Sequence, residues 1–265
     1  MGTSIEGVLA LTPPSYPRGL ILGDVSQPTQ SIYEQSATQQ YHLGTKLVYS
    51  DGRCFRYARN GGDALAKCYM TTSEALNARS TEELQSTYGT SAEVGDYEID
   101  IDVTTAGTWV EDEYADGMMV VNKDTGIGDI YKIIANKING SDDTLMRVLL
   151  ETPIRTALDA TSELTLVKNA WREVDVMPTT VEGTPTGVPL IAVTANYFCW
   201  LQTGGYAPLY VDDSDTIVKG NVVGPGGTDA GAVEAVGADT TYAYGVAVYV
   251  AAADEVAIID LKLDS

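Results

Sequence analysis

Glu111-Asp112-Glu113, with Asp116 three residues on, gathers four carboxylates into a short run. Two carboxylates flanking one bond are what acid–base hydrolysis of a glycoside needs. Asp and Glu make up 37 of the 265 residues, so such neighbours arise by chance, and nothing beside them marks a cleft. The chain has one histidine, His42, and no serine in a G-x-S-x-G setting, which argues against a hydrolytic triad. His42 stands at the start of a strand pattern, where a structural role is expected. Asp212-Asp213-Ser214-Asp215 offers hard oxygens of the kind Ca²⁺ takes, but without the spacing or the distal Glu of an EF-hand. A solvated Asx-type turn is the simpler reading there. Gly224-Pro225-Gly226-Gly227 lacks the Lys-Ser/Thr of a phosphate loop and loses a donor at Pro225. Cys54, Cys68 and Cys199 include no C-x-x-C pair and make no zinc set. They are expected to be free thiols in a reducing compartment. The sequence therefore predicts no enzyme: no catalytic residue, no metal and no cofactor.

Lysine and arginine number 16 against 37 acidic residues, a formal net charge of −21. Such a surface repels phosphate backbones and anionic bilayers, so neither nucleic acid nor membrane is an expected partner. No apolar run reaches spanning length and no basic-then-apolar leader is seen, so a soluble chain without an export signal is expected. The charge is unevenly spread. From Glu173 onward thirteen acidic residues face only Lys219 and Lys262, whereas Lys46, Arg53, Arg56, Arg59 and Lys67 share a segment with only Asp51 and Asp63. That segment reads either as a docking patch for an acidic partner or as a solvated strand face with paired charges. Sixteen tyrosines against two Phe and three Trp suit half-buried strand positions and interfaces alike.

The elements that must position these residues are strands. Tyr97, Ile99, Ile101 and Val103 alternate with Glu98, Asp100 and Asp102, the signature of a half-buried strand. Further strands are predicted at 117–122, 128–134, 144–150 and 164–167, with turns at 122–126 and 139–143. In the last third, strands at 197–203 and 206–211 flank a Gly204-Gly205 turn, and more follow at 244–250 and 256–263. Asp51-Gly52 closes a hairpin. Ser or Thr ahead of Glu and Leu in 73–85 predicts short helices at most. Residues 1–40 are proline-rich and polar with brief apolar pieces, and read as an extended arm. Three prolines and two glycines in 177–189 read as a connector, placing a boundary near residue 183. The expected fold is all-β: an arm (1–40), a central β-rich domain (41–182) and a C-terminal small β-barrel or sandwich module (183–265).

Two stretches carry a resemblance. Leu43-Gly44-Thr45 followed by Asp51-Gly52-Arg53-Cys54-Phe55-Arg56-Tyr57-Ala58-Arg59-Asn60-Gly61-Gly62 is one. The other runs from Phe198-Cys199-Trp200-Leu201-Gln202-Thr203-Gly204-Gly205-Tyr206-Ala207-Pro208-Leu209 through Lys219-Gly220-Asn221 and Gly245-Val246-Ala247 to Val256-Ala257-Ile258-Ile259-Asp260-Leu261. Together they cover about a third of the chain and resemble the head decoration, or capsid cement, proteins of tailed bacteriophages. The resemblance implies a non-enzymatic virion protein, made in the host cytoplasm, that sits on the outer capsid surface and holds neighbouring major capsid proteins together. It also implies self-association, most simply as a homotrimer, and an arm that reaches neighbouring subunits. Leu9, Leu20, Ile21 and Leu22 of the arm and Arg53, Arg56 and Arg59 of the basic segment are the expected partner-binding residues. The competing expectation is an acidic β-sandwich adhesin or carbohydrate-binding module, such as a head fibre or receptor-binding component, with exposed Tyr and Trp stacking on sugars. Trp109, Trp171 and Trp200 lie on separate predicted elements, which fits core anchors better than one sugar platform.

Overall fold

The computed structural model describes residues 19–21, 29–74, 84–85, 92–102, 110–138, 145–159, 161–180, 183–236 and 242–264. Among these there is no helix, and the architecture is all-β with curled sheets, as the strand and turn composition requires. The first strands are β1 (Gly19–Ile21), β2 (Lys46–Tyr49), β3 (Cys54–Arg59) and β4 (Thr71–Thr72). Then come β5 (Leu84–Gln85), β6 (Glu98–Asp102), β7 (Met118–Lys123), β8 (Ile130–Ile138), β9 (Leu145–Leu150) and β10 (Glu163–Val167). The chain finishes with β11 (Asp175–Val176), β12 (Pro185–Pro189), β13 (Phe198–Tyr210), β14 (Val222–Pro225), β15 (Val233–Ala235), β16 (Gly245–Ala247) and β17 (Val256–Lys262).

Strands β5 to β10 close on themselves in the order β10-β5-β6-β9-β8-β7. Period-two alternation drives this. Ile99 and Ile101, Met119 and Val121, Tyr131 and Ile133, Met146 and Val148, and Leu164 and Leu166 turn inward and are at most 3% exposed. Each such side chain stabilises the barrel by about 2 kcal/mol through apolar burial. Their neighbours Glu98, Met118, Ile130 and Ile134 face outward.

The remaining strands form an eleven-stranded sheet with the path β1-β2-β3-β13-β17-β16-β14-β15, with β12 added on β13, β4 on β12 and β11 on β4. The strand partners thus divide the chain elsewhere than at residues 40 and 183. The barrel is an insertion between β4 and β11, and segments from both ends of the chain share the sheet that surrounds it in sequence. Residues 29–40, expected in the arm, pack on this chain's own core. Ile32 is 5% exposed, Gln30 accepts from the Tyr57 hydroxyl and the Trp200 indole, and Ser36 bridges to Phe198.

Three local expectations are corrected. Leu84-Gln85, expected at the end of a short helix, is strand β5 of the barrel, because its backbone partners on β10 and β6 outweigh a weak capping signal; residues 75–83 lie outside the described residues. The 177–189 connector contains β12, whose prolines sit at its first and last positions, where a missing donor costs least. Gly204-Gly205 lies inside one continuous strand, directly after a bulge between Gln202 and Gly204, rather than in a turn.

That bulge organises the sheet. Up to Gly204, β13 pairs with β3; from Gly204 to Tyr210 it pairs with β17. Its first half is buried on both faces, with Phe198 and Trp200 against Phe55, Tyr57 and Leu47, and Cys199 and Leu201 against Ala58, Leu65, Val174 and Val193. The second half buries only Ala207 and Leu209. At Gly205 φ is +76°, and a Cβ would lie 3.0 Å from both the Arg53 Cα and the Gly52 carbonyl oxygen. Gly52 in the β2–β3 turn shares a positive φ of +88° but has open space around it. Gly205→Ala should therefore lose about 2–4 kcal/mol, from left-handed strain plus collision, and Gly52→Ala about 1 kcal/mol, from strain alone. Equal shifts of the two denaturation midpoints would contradict the close packing of the hairpin on Gly205.

Candidate functional site

The two stretches that carry the family resemblance meet in space. Strand β3 lies antiparallel to the first half of β13, with Tyr57 opposite Trp200, Arg59 opposite Phe198 and Phe55 opposite Gln202. Tyr57 packs edge-on to Trp200 at 5.0 Å and to Tyr41 at 5.2 Å, and stacks on Phe198 at 6.1 Å. Burial of this cluster pushes the Tyr57 phenol up to about 12. The motif residues are thus chiefly architectural. Gly44 lies against the Trp171 ring, where a Cβ would come within 2.9 Å of it, and Gly220-Asn221 makes the turn into β14.

The basic segment is neutralised from far away in sequence. Arg56 holds Asp264 through two bonds, Nε to Oδ2 at 2.6 Å and Nη2 to Oδ1 at 3.0 Å, and lies 5.0 Å over the Trp171 ring. Lys46 reaches the same carboxylate at 3.2 Å. Arg59 pairs with Glu173 and donates to Asn196, while Arg53 pairs with Asp51 in its own turn. These contacts fit the paired-charge reading of the segment. Burial opposes ionisation of Asp264, yet the bonds from Arg56 and Lys46 prevail and hold its carboxyl below the usual range. Of the arm residues, Leu20 and Ile21 belong to β1, which pairs with β2 in the register Leu20↔Val48 and Ile21↔Leu47. Among the described strands β2 is its sole partner, so β1 forms one margin of the sheet. Leu9 and Leu22 lie outside the described residues.

The carboxylate run 111–116 sits at the seam between barrel and sheet, beside a cleft of about 620 Å³. Within the run, Glu113 pairs with Lys168, which follows β10. The ammonium stands 2.8 Å from Glu113, 2.6 Å from Glu74 after β4, and 2.9 Å from Glu173 before β11. Burial disfavours the charge on Lys168, but the three carboxylates outweigh it and raise its pKa. Burial also raises Glu74, against the pull of Lys168. One ammonium thus ties the barrel to the sheet, and no local sequence signal marks it. Asp116 meets His42 at 3.4 Å, and the His42 side chain is largely exposed. Glu113, Glu74 and Glu173 are thus bound to Lys168 at the seam, where they line the cleft together with Glu111.

The acidic loop 212–215 is likewise committed. Asp212 is fully buried, and its carboxylate accepts from Ser214 N (3.0 Å), Ser214 Oγ (2.5 Å), Thr228 N (2.9 Å) and Asp229 N (2.9 Å). Asp215 accepts from Thr216 N and Ala235 N. Burial disfavours the Asp212 anion, but these donors dominate and hold its pKa far below the ordinary value. The loop is a brace between two turns, and among the described residues no cluster of three or more metal-ligating side chains occurs. All three cysteines are free, and burial pushes the Cys199 thiol up to about 12. Trp200 is 1% exposed and presents no free face for a sugar, while Trp171 is half-buried with Arg56 over its ring; Trp109 lies outside the described residues.

Lys168→Met should destabilise the fold by about 2 kcal/mol at pH 7, because three carboxylates then face one another partly desolvated. The deficit relative to the parent should shrink as pH falls into the carboxylate range, since the facing carboxyls of the variant take up protons and their mutual repulsion is relieved; a flat difference would contradict the hub. Asp212→Ala should cost about 2–3 kcal/mol by stranding buried donors. The Asp212 contribution is fully present above about pH 4 and is lost as pH falls toward its depressed folded value. Unfolding curves of parent and variant that stay equally separated down to about pH 2 would refute that assignment.

Comparisons with known protein families, characterised proteins and solved structures found no match.

Proposed function

We propose that this chain is a structural protein of a tailed-phage virion that binds the outer capsid surface and cements neighbouring major capsid proteins. The observation that carries the reading is the place of β1. The middle of the proline-rich N-terminal segment forms a strand that, among the described strands, lies at the margin of the main sheet, where backbone donors and acceptors on its far side can pair with a strand of another chain. Leu20 and Ile21 are the arm residues at that margin. The motifs at 43–62 and 198–261 support the same family, and their pairing in one sheet gives a physical reason for them to occur together. The reading is non-enzymatic. Lys168, Asp212, Arg56 and Glu113 are each spent on intramolecular bonds, which favours a rigid body over a reaction site.

Cementing works through area and repetition. A contact of roughly 1,000 Å² repeated over a shell adds cohesion without chemistry, and a chain that self-associates, as a homotrimer for instance, gains further from multivalency. Arg53, Arg56 and Arg59 already hold carboxylates of this chain, so the arm strand carries more of the proposed contact than the basic segment does.

The packing of residues 29–40 sets the truncation for the test. A chain lacking residues 1–28 should fold, as read by its melting transition. Its affinity for undecorated heads of the encoding phage, read by co-sedimentation, should fall at least about tenfold, the equivalent of about 1.4 kcal/mol of lost contact. Unchanged co-sedimentation, or binding of the intact chain to glycans instead of heads, would overturn the reading.

A further inference from the structure

Strands β13, β17, β16 and β14 lie side by side, and their register defines two faces. One face is core: Ala207, Leu209, Ala257, Ile259, Leu261, Ala247 and Val223 are all at most 2% exposed. Tyr206, Asp260, Val246 and Val222 form a single row across the other face, with Pro208 beside Ile258 and Tyr210 beside Val256 in the next rows. A sheet with one wet face ordinarily turns polar side chains to that side. Here Tyr206 is 62% exposed, Val256 46%, Ile258 44%, Val222 42% and Val246 39%. These five leave on the order of 400 Å² open to solvent, the size at which a patch on a soluble chain marks an interface, and about half of what each partner of a stable complex covers.

The charge on this face selects its occupant. On a chain of net charge −21, the face carries one carboxylate in these rows, Asp260, and it is paired with Lys262 at 3.0 Å. Two copies must meet where no unpaired carboxylates oppose each other, and a neutral apolar sheet face meets that condition. An exposed apolar sheet face can also pack on its own copy, with side chains interdigitating across about 10 Å. We infer that the outward face of β13, β17, β16 and β14 is the contact through which two copies of this chain associate. This deepens the self-association in the reading above by naming its surface, and it is tested on the free chain, so failure to bind heads would leave it standing.

Sedimentation velocity of the intact chain between about 1 and 100 µM should show assemblies larger than one chain, because association follows concentration. Val246→Glu combined with Ile258→Glu should give single chains with an unchanged melting transition, both sites being exposed. Mixing that variant with the Val246→Lys, Ile258→Lys pair should restore association. Hydroxyl-radical labelling of Tyr206, Val246 and Ile258 in the parent, which requires no variant, should fall several-fold over the same concentration range. A parent that stays a single chain throughout, or labelling that does not change with concentration, would overturn the inference, as would a folded glutamate variant that assembles like the parent.

Discussion

The sheet depends on one strand that changes partners. Thirteen residues of β13 run without interruption from the aromatic core, where β3 lies alongside, to the C-terminal sheet, where β17 does. The change is made at Gly204-Gly205, where a positive φ and the nearness of the Gly52-Arg53 backbone leave no room for a side chain. Segments more than two hundred residues apart are thereby joined, and a fold assembled from such distant pairings closes long loops before it gains most of its contacts. The same bulge separates a stretch buried on both faces from one buried on a single face.

Electrostatics completes the joining. A net charge of −21 works against compactness, and several of the cations bridge elements distant in sequence. Lys168 holds carboxylates from barrel and sheet at once, and Arg56 with Lys46 fastens Asp264 near the far end of the chain onto β2 and β3. Asp212 does the converse, an anion satisfied by amides and a hydroxyl rather than by a cation. Lys168, Arg56, Asp264 and Asp212 accordingly hold distant segments of the body together.

Much of the strand content was legible because alternation is local: Ile99 and Ile101 announce β6, and Val256 to Leu261 announce β17. Asp51-Gly52 was legible as a hairpin for the same reason. What was not legible depends on distance. Nothing near Arg56 indicates that Asp264 neutralises it, and nothing near Lys168 announces Glu74. Gly204-Gly205 reads as a turn unless the partner change is known, and Pro185 to Pro189 reads as a connector although its backbone finds partners on β13 and β4. The barrel as an insertion was hidden because adjacency in sequence suggests a linear series of domains. The candidate contact surfaces were partly legible: Leu20 and Ile21 stood out as apolar residues in a polar arm, whereas the outward valines of β14 and β16 gain meaning only from their register.

A strand at one sheet margin and a neutral apolar face elsewhere give the described body two surfaces suited to contact with other proteins. The central claim is a location, and imaging the encoding phage tests it directly. Cryo-electron microscopy of mature particles should place this chain's density on the outer shell, repeated at contacts between major capsid proteins. A bare shell, with the chain found in a tail fibre or missing from the particle, would contradict the account.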